Sequence, residues 1–510
     1  MMGQPFVTRF RAPGALYGNN SLFLTTSTLL LGVVLIAHSL ATASTTLLAG
    51  AAKNTITPDI ANRTVYLAGF GHNRIATGVH DPLFVRCLSL QIADEGVVFC
   101  SADLIGLFYD DVQAIRSIFA KEVPIGFHLV VACTHTHEGP DTLGLYGPSA
   151  AESGADKKYL AFVQERVAAT AVEAVRAMRP ARMHLARDDR ALLSTLQSVD
   201  RPPYVKDPHL FVMSLSSVAD GKTLATLVNW SDHPEILGRK NTEISADYPR
   251  WICQYVEKHR GGTALFFNAA PGKVSALGSE VALLDPDTGK TAEDGTWRKA
   301  ELLGELIGKL ADEALRRSEA VSPDRLSVRS AVIFVPLSNM RFREAEGTGI
   351  FLGRKPLFTN GKLDASIAEL PAGAGQGTVR YATGLDLESE VDYITLQRQG
   401  RPIAEFVTIP GEAYPELING GVTRYPGADY PDAPLEKPVR SVLRSKYQFV
   451  LGLGNDELGY LIPKAEWDEH PPWLRNNPEP YYGEINSVGI EAAGAVSRAV
   501  QELANQAAAR

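Results

Sequence analysis

The chain has 510 residues, of which 45% are hydrophobic and 21% are charged, and its formal net charge is -8 at pH 7. This length predicts one large elaborated domain or two smaller ones, and the composition is that of an ordinary globular protein. Because no run of lysines and arginines interleaved with aromatic residues occurs, the sequence argues against a nucleic-acid partner.

The first 43 residues differ from the rest of the chain. Two arginines precede a long apolar stretch, and the small residues at 41–43 resemble a cleavage site. This pattern predicts a signal peptide at 1–43, and therefore export to the periplasm or the exterior. An uncleaved membrane anchor is the alternative, because the apolar stretch is about long enough to span a bilayer. No second stretch of this kind follows, so 44–510 is predicted to be one soluble domain.

Two apolar runs early in that domain predict a β-hairpin that turns at Asp94 and Glu95. Pairing about this turn places Cys87 and Cys100 diagonally across the two strands rather than opposite each other. Export would permit a disulfide, but the cysteine spacing matches no metal-binding or redox motif. We therefore predict that all four cysteines are small buried residues, namely Cys87, Cys100, Cys133 and Cys253.

The stretch "ACTHTHEGP" follows a buried apolar run at 127–131. Along a strand, residues two apart share a face, so His135 and His137 are predicted to point the same way. By the same rule Thr136 and Glu138 point the other way. Two neighbouring imidazoles indicate a metal site, although a polar rim at the end of a strand explains the same pattern.

Further along, strand-like apolar runs alternate with helical patterns, which predicts an α/β fold with a layered, mixed β-sheet core and flanking helices. Only the stretch 342–387, rich in glycine, proline and charge, is predicted to be an irregular insertion. The predicted helices are 156–178, 248–258, 296–317 and 487–508.

Four later strand candidates also end next to residues that can carry chemistry. Because open α/β sheets place their sites at the carboxyl ends of strands, we predict one shared site there. The strand candidates and the groups after them are 224–230 with His233, 263–268 with Ser275, 402–409 with Glu412, and 447–453 with Tyr460.

His135, His233 and Glu412 together form the type of ligand set that catalytic zinc takes, with a position left for water. Zinc lowers the pKa of its bound water and polarises a carbonyl, so hydrolysis of an amide or an ester is the predicted outcome. His137 would lie beside the metal and stabilise an oxyanion or move a proton. Each residue also has an ordinary alternative, such as a turn histidine, a solvated loop acid or a buried core tyrosine.

These motifs resemble those of the neutral (neutral/alkaline, non-lysosomal) ceramidase family, the zinc amidases that split the N-acyl bond of ceramide. The elements "THTH", "NW" followed by "HP", "VS", "PGE" and "GNDELGY" occur in the family's order between Lys53 and Gly489. The resemblance implies the fold of the family's catalytic domain. It also implies that one zinc ion is bound by four residues, which are His135, His233, Glu412 and the phenol oxygen of Tyr460.

The resemblance assigns further roles to residues around the metal. His137 is expected to contact the scissile amide, and Ser275 is expected to help hold the substrate, so that His137, Ser275 and Tyr460 form the catalytic set. Gly69 or Gly71 in the element "GFG", and Arg201 in "SVDRPP", are similar to the family's substrate-contacting residues.

The chain departs from the family pattern in two ways. Lys273 stands before Val274-Ser275 where the family usually has an aspartate, and the family's C-terminal β-sandwich domain is missing after Tyr460. Specificity can change while a fold persists. An N-acyl amino acid or a cyclic amide is therefore an alternative to ceramide or a related N-acyl lipid, and a non-catalytic binding module is a third hypothesis. Peripheral contact with a membrane accompanies the lipid hypothesis, and the oligomeric state is not predicted.

Overall fold

Two mixed β-sheets form the centre of the protein. The computed structural model describes residues 46–509 except 124–125, 279, 352–353, 355–356, 361 and 364–384. The predicted signal peptide at 1–43 lies outside the described residues. In chain order, the strands of the described part are β1 Leu48–Thr55, β2 Gly78–Val79, β3 Phe84–Ile92, β4 Glu95–Ala102, β5 Phe127–Cys133, β6 Arg179–Asp188, β7 Ser198–Val199, β8 Leu210–Ser217, β9 Thr223–Trp230, β10 Glu243–Ile244, β11 Thr263–Asn268, β12 Val274–Ser275, β13 Glu319–Val321, β14 Arg325–Pro336, β15 Leu357–Thr359, β16 Lys362–Leu363, β17 Leu385–Arg398, β18 Arg401–Ile409, β19 Glu412–Ala413, β20 Tyr447–Gly452 and β21 Tyr460–Leu461.

Helices cover the outer faces of the sheets. The α-helices of the described part are α1 Tyr109–Phe119, α2 Lys157–Arg176, α3 Ala191–Thr195, α4 Tyr248–Arg260, α5 Trp297–Arg316, α6 Met340–Thr348, α7 Pro415–Asn419, α8 Val439–Val442, α9 Tyr482–Ile485 and α10 Ala492–Ala508. Within the described residues, no helix combines the length and the apolar character needed to cross a membrane.

The first sheet has the strand order β11-β9-β8-β6-β1-β3-β4-β5, with β13 beside β6. The second has the order β16-β15-β17-β18-β20, with β14 beside β17. Three neighbouring pairs are parallel, namely β4 with β5, β9 with β11, and β18 with β20, and the others are antiparallel. The sheets are therefore mixed, as predicted. Parallel neighbours end at the same edge, so the loops after β9 and β11 lie together, as do those after β18 and β20. The packing of β11 against β20 brings the two pairs of loops to one place.

The two sheets pack face to face through aromatic and aliphatic side chains. The rings of Phe99 and Phe406 lie 5.0 Å apart, and those of Phe211 and Phe449 lie 5.7 Å apart. The first sheet is covered on its outer face by α1, α2, α4 and α5, and the second by α10. The result is a four-layer helix–sheet–sheet–helix arrangement, which confirms the predicted α/β class with a layered mixed-sheet core.

Local sequence explains why the long helices begin where they do. Asp156 caps α2 by accepting hydrogen bonds from the backbone N–H groups of Lys158 and Tyr159. Its apolar residues Val163 and Val167 are fully buried. Each such side chain contributes roughly 1.5–3 kcal/mol on burial. The last helix begins at Ala492, later than predicted, because the backbone before it makes long-range hydrogen bonds, for example from the N–H of Val488 to Leu458 O at 3.0 Å.

The prediction for the first two cysteines was wrong. Cys87 and Cys100 lie directly opposite each other in β3 and β4 and form a disulfide bond. The reason is that the hairpin turns one residue earlier than expected, at Ala93 and Asp94, with Ala93 at a φ of 53°. A one-residue shift of the turn changes the cross-strand register of every pair. The other two cysteines, Cys133 and Cys253, are buried and free, as predicted.

The stretch 342–387, predicted to be irregular, is regular in part. It contains most of α6 as well as β15 and β16, and β17 begins at Leu385. Asn339 accepts hydrogen bonds from the N–H groups of Arg341 and Phe342, which starts α6. The remainder of the stretch, 364–384, lies outside the described residues.

A buried carboxylate near the first sheet connects distant segments. Asp207 accepts hydrogen bonds from Arg440 at 3.0 Å, from His209 at 2.8 Å and from Ser231 at 2.8 Å. Burial alone would raise the pKa of Asp207, but the charge of Arg440 and the contacts with His209 outweigh it and hold this pKa well below its usual range. The carboxylate is therefore charged at neutral pH.

Candidate metal centre and its cavities

The structure brings six of the predicted residues into one buried site at the strand ends. They follow β5, β9 and β11 of the first sheet and β18 and β20 of the second. The six residues are His135, His137, His233, Ser275, Glu412 and Tyr460.

Asn229 fixes the two sheets relative to each other beside this site. Its amide donates to Phe267 O at 2.9 Å and to Val450 O at 2.7 Å, and its oxygen accepts from Val450 N–H at 3.1 Å. One side chain on β9 therefore joins β11 and β20. Asn229 is the asparagine of the "NW" element, and this bridge gives it a structural role.

The imidazoles of His135 and His233 are oriented in the same way. His135 Nδ1 lies 2.7 Å from Ile105 O, and His233 Nδ1 lies 2.9 Å from Val274 O. A carbonyl only accepts, so each Nδ1 carries a proton, and each Nε2 of the neutral ring is free to offer its lone pair to a metal. Both Nε2 atoms face Glu412 Oε2, at 3.3 Å and 2.9 Å respectively. This arrangement is typical of metal-binding histidines.

Tyr460 completes the same group of donor atoms. Its hydroxyl lies 3.3 Å from His233 Nε2. The backbone pairing of β19 with β21 places Tyr460 directly beside Glu412, so the register of this short parallel ladder fixes both side chains. Burial, followed by the charge of Glu412, raises the pKa of Tyr460 well above its usual value.

His137 belongs to the same cluster and also faces an open cavity. Its ring lies 5.0 Å from that of His135 and 5.4 Å from that of His233. One ring nitrogen from each of these three histidines could contribute to a metal site, since the three atoms lie within 4.8 Å of one another. His137 Nδ1 lies 3.5 Å from Glu235 Oε2. His137 is therefore placed both to approach a metal and to contact a ligand in the cavity.

His135 and His137 lie together as predicted, but not because they alternate along a strand. β5 ends at Cys133, and His135 has a φ of 72°, so the residues that follow do not alternate as in a strand. Thr136 turns away to donate to Ser245 O, and Glu138 faces Arg74 at 3.4 Å. The outcome agrees with the expectation that Glu138 points away from the site.

The charge of the buried Glu412 carboxylate needs a positive partner at this site. Burial raises the pKa of Glu412, but His135 and His233 outweigh this effect and hold it well below its usual range. Burial lowers the pKa of His233, but its hydrogen bond to Glu412 raises it to about 10. Burial, His135 and His233 together lower the pKa of His137 well below its usual value. Glu412 therefore stays charged, and either a proton on His233 or a metal ion must balance it.

The donor set fits zinc. Two imidazole nitrogens, one carboxylate oxygen and one phenol oxygen face a common point, and zinc takes nitrogen and oxygen donors of this kind. The backbone carbonyls that hold the two Nδ1 atoms are the outer partners that metal-binding histidines usually have.

Two cavities of different character meet at this centre. An inner chamber of about 30 Å³ is lined by His135, Glu412 and Tyr460 together with mostly apolar side chains. An outer cavity of about 400 Å³ is lined by His137, His233 and Tyr460 together with mostly polar and charged side chains. The donor atoms thus lie between the two.

Ser275 lines the outer cavity and is held by an acid that the sequence analysis missed. Its hydroxyl donates to Glu235 Oε1 at 2.6 Å, while the other oxygen of Glu235 faces His137. Lys273, which stands where the family has an acid, is buried and pairs with Glu416. Its charge is therefore compensated by that partner.

The two glycines of "GFG" line the outer cavity, but Arg201 does not line any of the described cavities. A Cβ at Gly69 would lie 2.3 Å from Cγ of His137, so glycine is required for this close approach. Arg201 donates to both carboxylate oxygens of Glu484, at 2.8 and 2.9 Å, and stacks on Tyr481. Arg201 therefore forms a buried ion pair, and its substrate contact stays a prediction.

Sequence reasoning missed several polar residues that line the cavities. Glu235 and Arg239 follow His233 within "HPEILGR", and their position so soon after a predicted ligand was an available signal. Glu457 lies inside "GNDELGY", and Tyr482 lies just before the predicted helix at 487–508.

Comparison with protein-family models gave no match, and comparison with curated protein sequences gave none either. Comparison with solved structures gave matches over most of the chain. One is a ceramidase complexed with C2, at 14% identity and a TM-score of 0.61. Another is the neutral ceramidase from Pseudomonas aeruginosa, at 16% identity and a TM-score of 0.59. Each match covers 90% of this chain and 75% of the other. The protein therefore has the neutral ceramidase fold, which confirms the fold implied by the resemblance.

Proposed function

We propose that this protein is a zinc-dependent amidohydrolase that cleaves an N-acyl amide into a fatty acid and an amine. The observation that carries the proposal is the convergence of two histidine Nε2 atoms, a carboxylate and a phenol on one point, beside a cavity that His137 faces. His135, His233, Glu412 and Tyr460 would hold one zinc ion. When bound, zinc supplies an activated water and polarises the carbonyl under attack.

The remaining side chains carry the proton and the substrate. His137, whose Nδ1 lies 3.5 Å from Glu235 Oε2, accepts a proton from the attacking water and delivers it to the amide nitrogen. The C–N bond breaks, the oxygen of water joins the acyl carbon, and the nitrogen leaves with its bonding electron pair and the transferred proton. Ser275 and the backbone at Gly69 and Gly71 line the space next to this reaction and position the amide.

Ceramide is the first substrate to consider, because the sequence resembles the ceramidase family and the matched solved structures are ceramidases. An apolar groove of about 420 Å³ beside the inner chamber is suited to an acyl chain. Export through the segment 1–43, a single catalytic domain at 44–510 and peripheral contact with a membrane that supplies the lipid belong to the same proposal.

A screen of acyl amides with zinc removed and restored tests this function. Purified full-length protein is incubated with ceramide in detergent, N-acyl amino acids and cyclic amides, and the released amine is measured. We expect hydrolysis of at least one N-acyl amide, loss of hydrolysis after chelation, and recovery on adding zinc. His135→Ala, tested at the same zinc concentration, should show no recovery.

Two results would contradict the proposal in different ways. Turnover that chelation leaves unchanged would exclude zinc dependence. Bound zinc without turnover of any amide or ester would support the binding-module alternative instead. Absence of ceramide turnover at every detergent level, together with turnover of another amide, would reject only ceramide as the substrate.

A further inference from the structure

The two sides of the candidate metal centre differ in chemical character. The inner chamber and the neighbouring groove share the side chains of Leu145, Tyr146, Phe342 and Tyr482, so the two spaces adjoin. The groove is lined further by the apolar side chains of Ala345, Ile350 and Ile485, and in its polar part by His72, Ser149 and Arg341. This side of the centre offers an apolar surface, which suits an aliphatic acyl chain.

The outer cavity instead presents charged groups of both signs. Its lining includes Asp200, Glu235, Arg239 and Lys273. An aliphatic limb placed there would remove water from these groups without replacing their hydrogen bonds, which is unfavourable. Ceramide has two long hydrocarbon chains, and the charged lining of the outer cavity does not suit either of them. A short and polar amine part matches it better.

Arg239 is the positively charged group of this cavity that is open to a ligand. Glu235 already accepts from Ser275, and Lys273 already pairs with an acid. Arg239 is exposed, and among the described residues its side chain has no hydrogen-bond or ion-pair partner. Its Nη2 lies over Gly71, 3.2 Å from where a Cβ would stand, so the absence of a side chain there leaves room for the guanidinium beside the cavity.

From these contacts we infer that the substrate is an N-acyl amino acid: an amide with an aliphatic acyl chain and a compact amine part whose carboxylate is bound by Arg239. This inference rests on the proposed amidohydrolase function and narrows its substrate class. A guanidinium binds a carboxylate through two parallel hydrogen bonds, which an uncharged amide cannot reproduce. After cleavage the product is an amino acid, whose new ammonium group is attracted by the acids of the same cavity, Asp200 and Glu235.

A pair of substrates that differ only in the carboxylate tests the inference. N-lauroylglycine and N-lauroylglycinamide share the acyl chain and the scissile bond. We expect the wild-type protein to favour the acid by about tenfold or more in kcat/KM, the range of a charge-assisted hydrogen bond. Arg239→Gln should abolish this preference, mainly by raising KM for the acid. Arg176→Gln, which removes an exposed charge from the end of α2, should retain it.

The possible outcomes separate this inference from the function on which it rests. If Arg239→Gln keeps the wild-type preference, or if lauroyl-ceramide is cleaved with a higher kcat/KM than N-lauroylglycine, the inference is wrong and the amidohydrolase function stands. If no N-acyl amide is cleaved by zinc-loaded protein, the function and the inference are both wrong.

Discussion

Replacing Gly69 with alanine tests the role of His137 without substituting any of the four proposed zinc ligands. The new Cβ would lie 2.3 Å from Cγ and 2.5 Å from Nδ1 of His137. Carbon atoms in contact stay about 3.5 Å apart, so the imidazole has to move by about 1 Å. A displacement of this size at a reacting group costs about 100-fold in rate. We therefore expect kcat to decrease by about two orders of magnitude, or ~2.7 kcal/mol in the activation free energy.

The same substitution has a backbone cost that can be measured separately. Gly69 has a φ of 97°, which costs a residue with a Cβ about 1–2 kcal/mol. Gly71→Ala is the matched comparison, since Gly71 has a φ of 83° and its Cβ would meet only the flexible end of Arg239 at 3.2 Å. Both variants should lose similar unfolding free energy, and Gly71→Ala should lose at least about tenfold less in kcat.

The assay combines steady-state kinetics on the best N-acyl amide with zinc content and urea unfolding of each variant. The catalytic role of His137 would be refuted if Gly69→Ala is folded, binds zinc and keeps a kcat within about threefold of the wild type. Loss of zinc together with activity would also contradict the assignment, because it would show that His137 is a ligand and not a substrate-facing residue.

Three further predictions concern residues outside the ligand set. Glu235→Gln should lower kcat about tenfold at nearly constant zinc content, because it removes the negative charge that lies 3.5 Å from His137 Nδ1 and stabilises a proton on that ring. Steady-state kinetics with metal analysis check this prediction, and an unchanged kcat would contradict it. Asp207→Asn should lower the unfolding free energy at pH 7 by about 3 kcal/mol, because it breaks a buried ion pair. The pKa of Asp207 is lower in the folded than in the unfolded protein, so its contribution to the unfolding free energy is present above about pH 4 and is lost on acidification. Urea unfolding at decreasing pH should therefore show the unfolding free energies of the wild type and Asp207→Asn becoming equal. The double variant Cys87→Ala/Cys100→Ala should have an unfolding free energy about 3 kcal/mol below that of the wild type, because it lacks the disulfide. A thiol titration of denatured, unreduced wild-type protein checks the bond itself, and a count of four thiols would exclude it.

Local patterns were sufficient to predict where the site lies. The apolar runs that became β5, β9, β11, β18 and β20 each end in glycine, proline or polar residues, and the strands end there too. Burial drives such runs into a sheet, and parallel neighbours bring their carboxyl ends to one edge. The predicted ligands therefore converge although up to about 325 residues separate them along the chain.

Features that depend on distant partners were not predictable in the same way. The ion pair of Arg201 joins residues 283 positions apart, and nothing near "SVDRPP" indicates Glu484 as its partner. The position of the hairpin turn depends on one residue, Ala93, that adopts a left-handed conformation, which alanine rarely does. The roles of Glu235 and Arg239 follow from the shape of a cavity, which emerges only when both sheets are packed.

The central claim is that His135, His233, Glu412 and Tyr460 form a zinc site, and the metal content of purified protein tests it most directly. Elemental analysis after equilibration with zinc and removal of free metal should give about one zinc ion per chain. His135→Ala, which removes one of the two Nε2 donors, should reduce this strongly. Less than about half an equivalent of zinc in the wild type, with the same content in His135→Ala, would contradict the account.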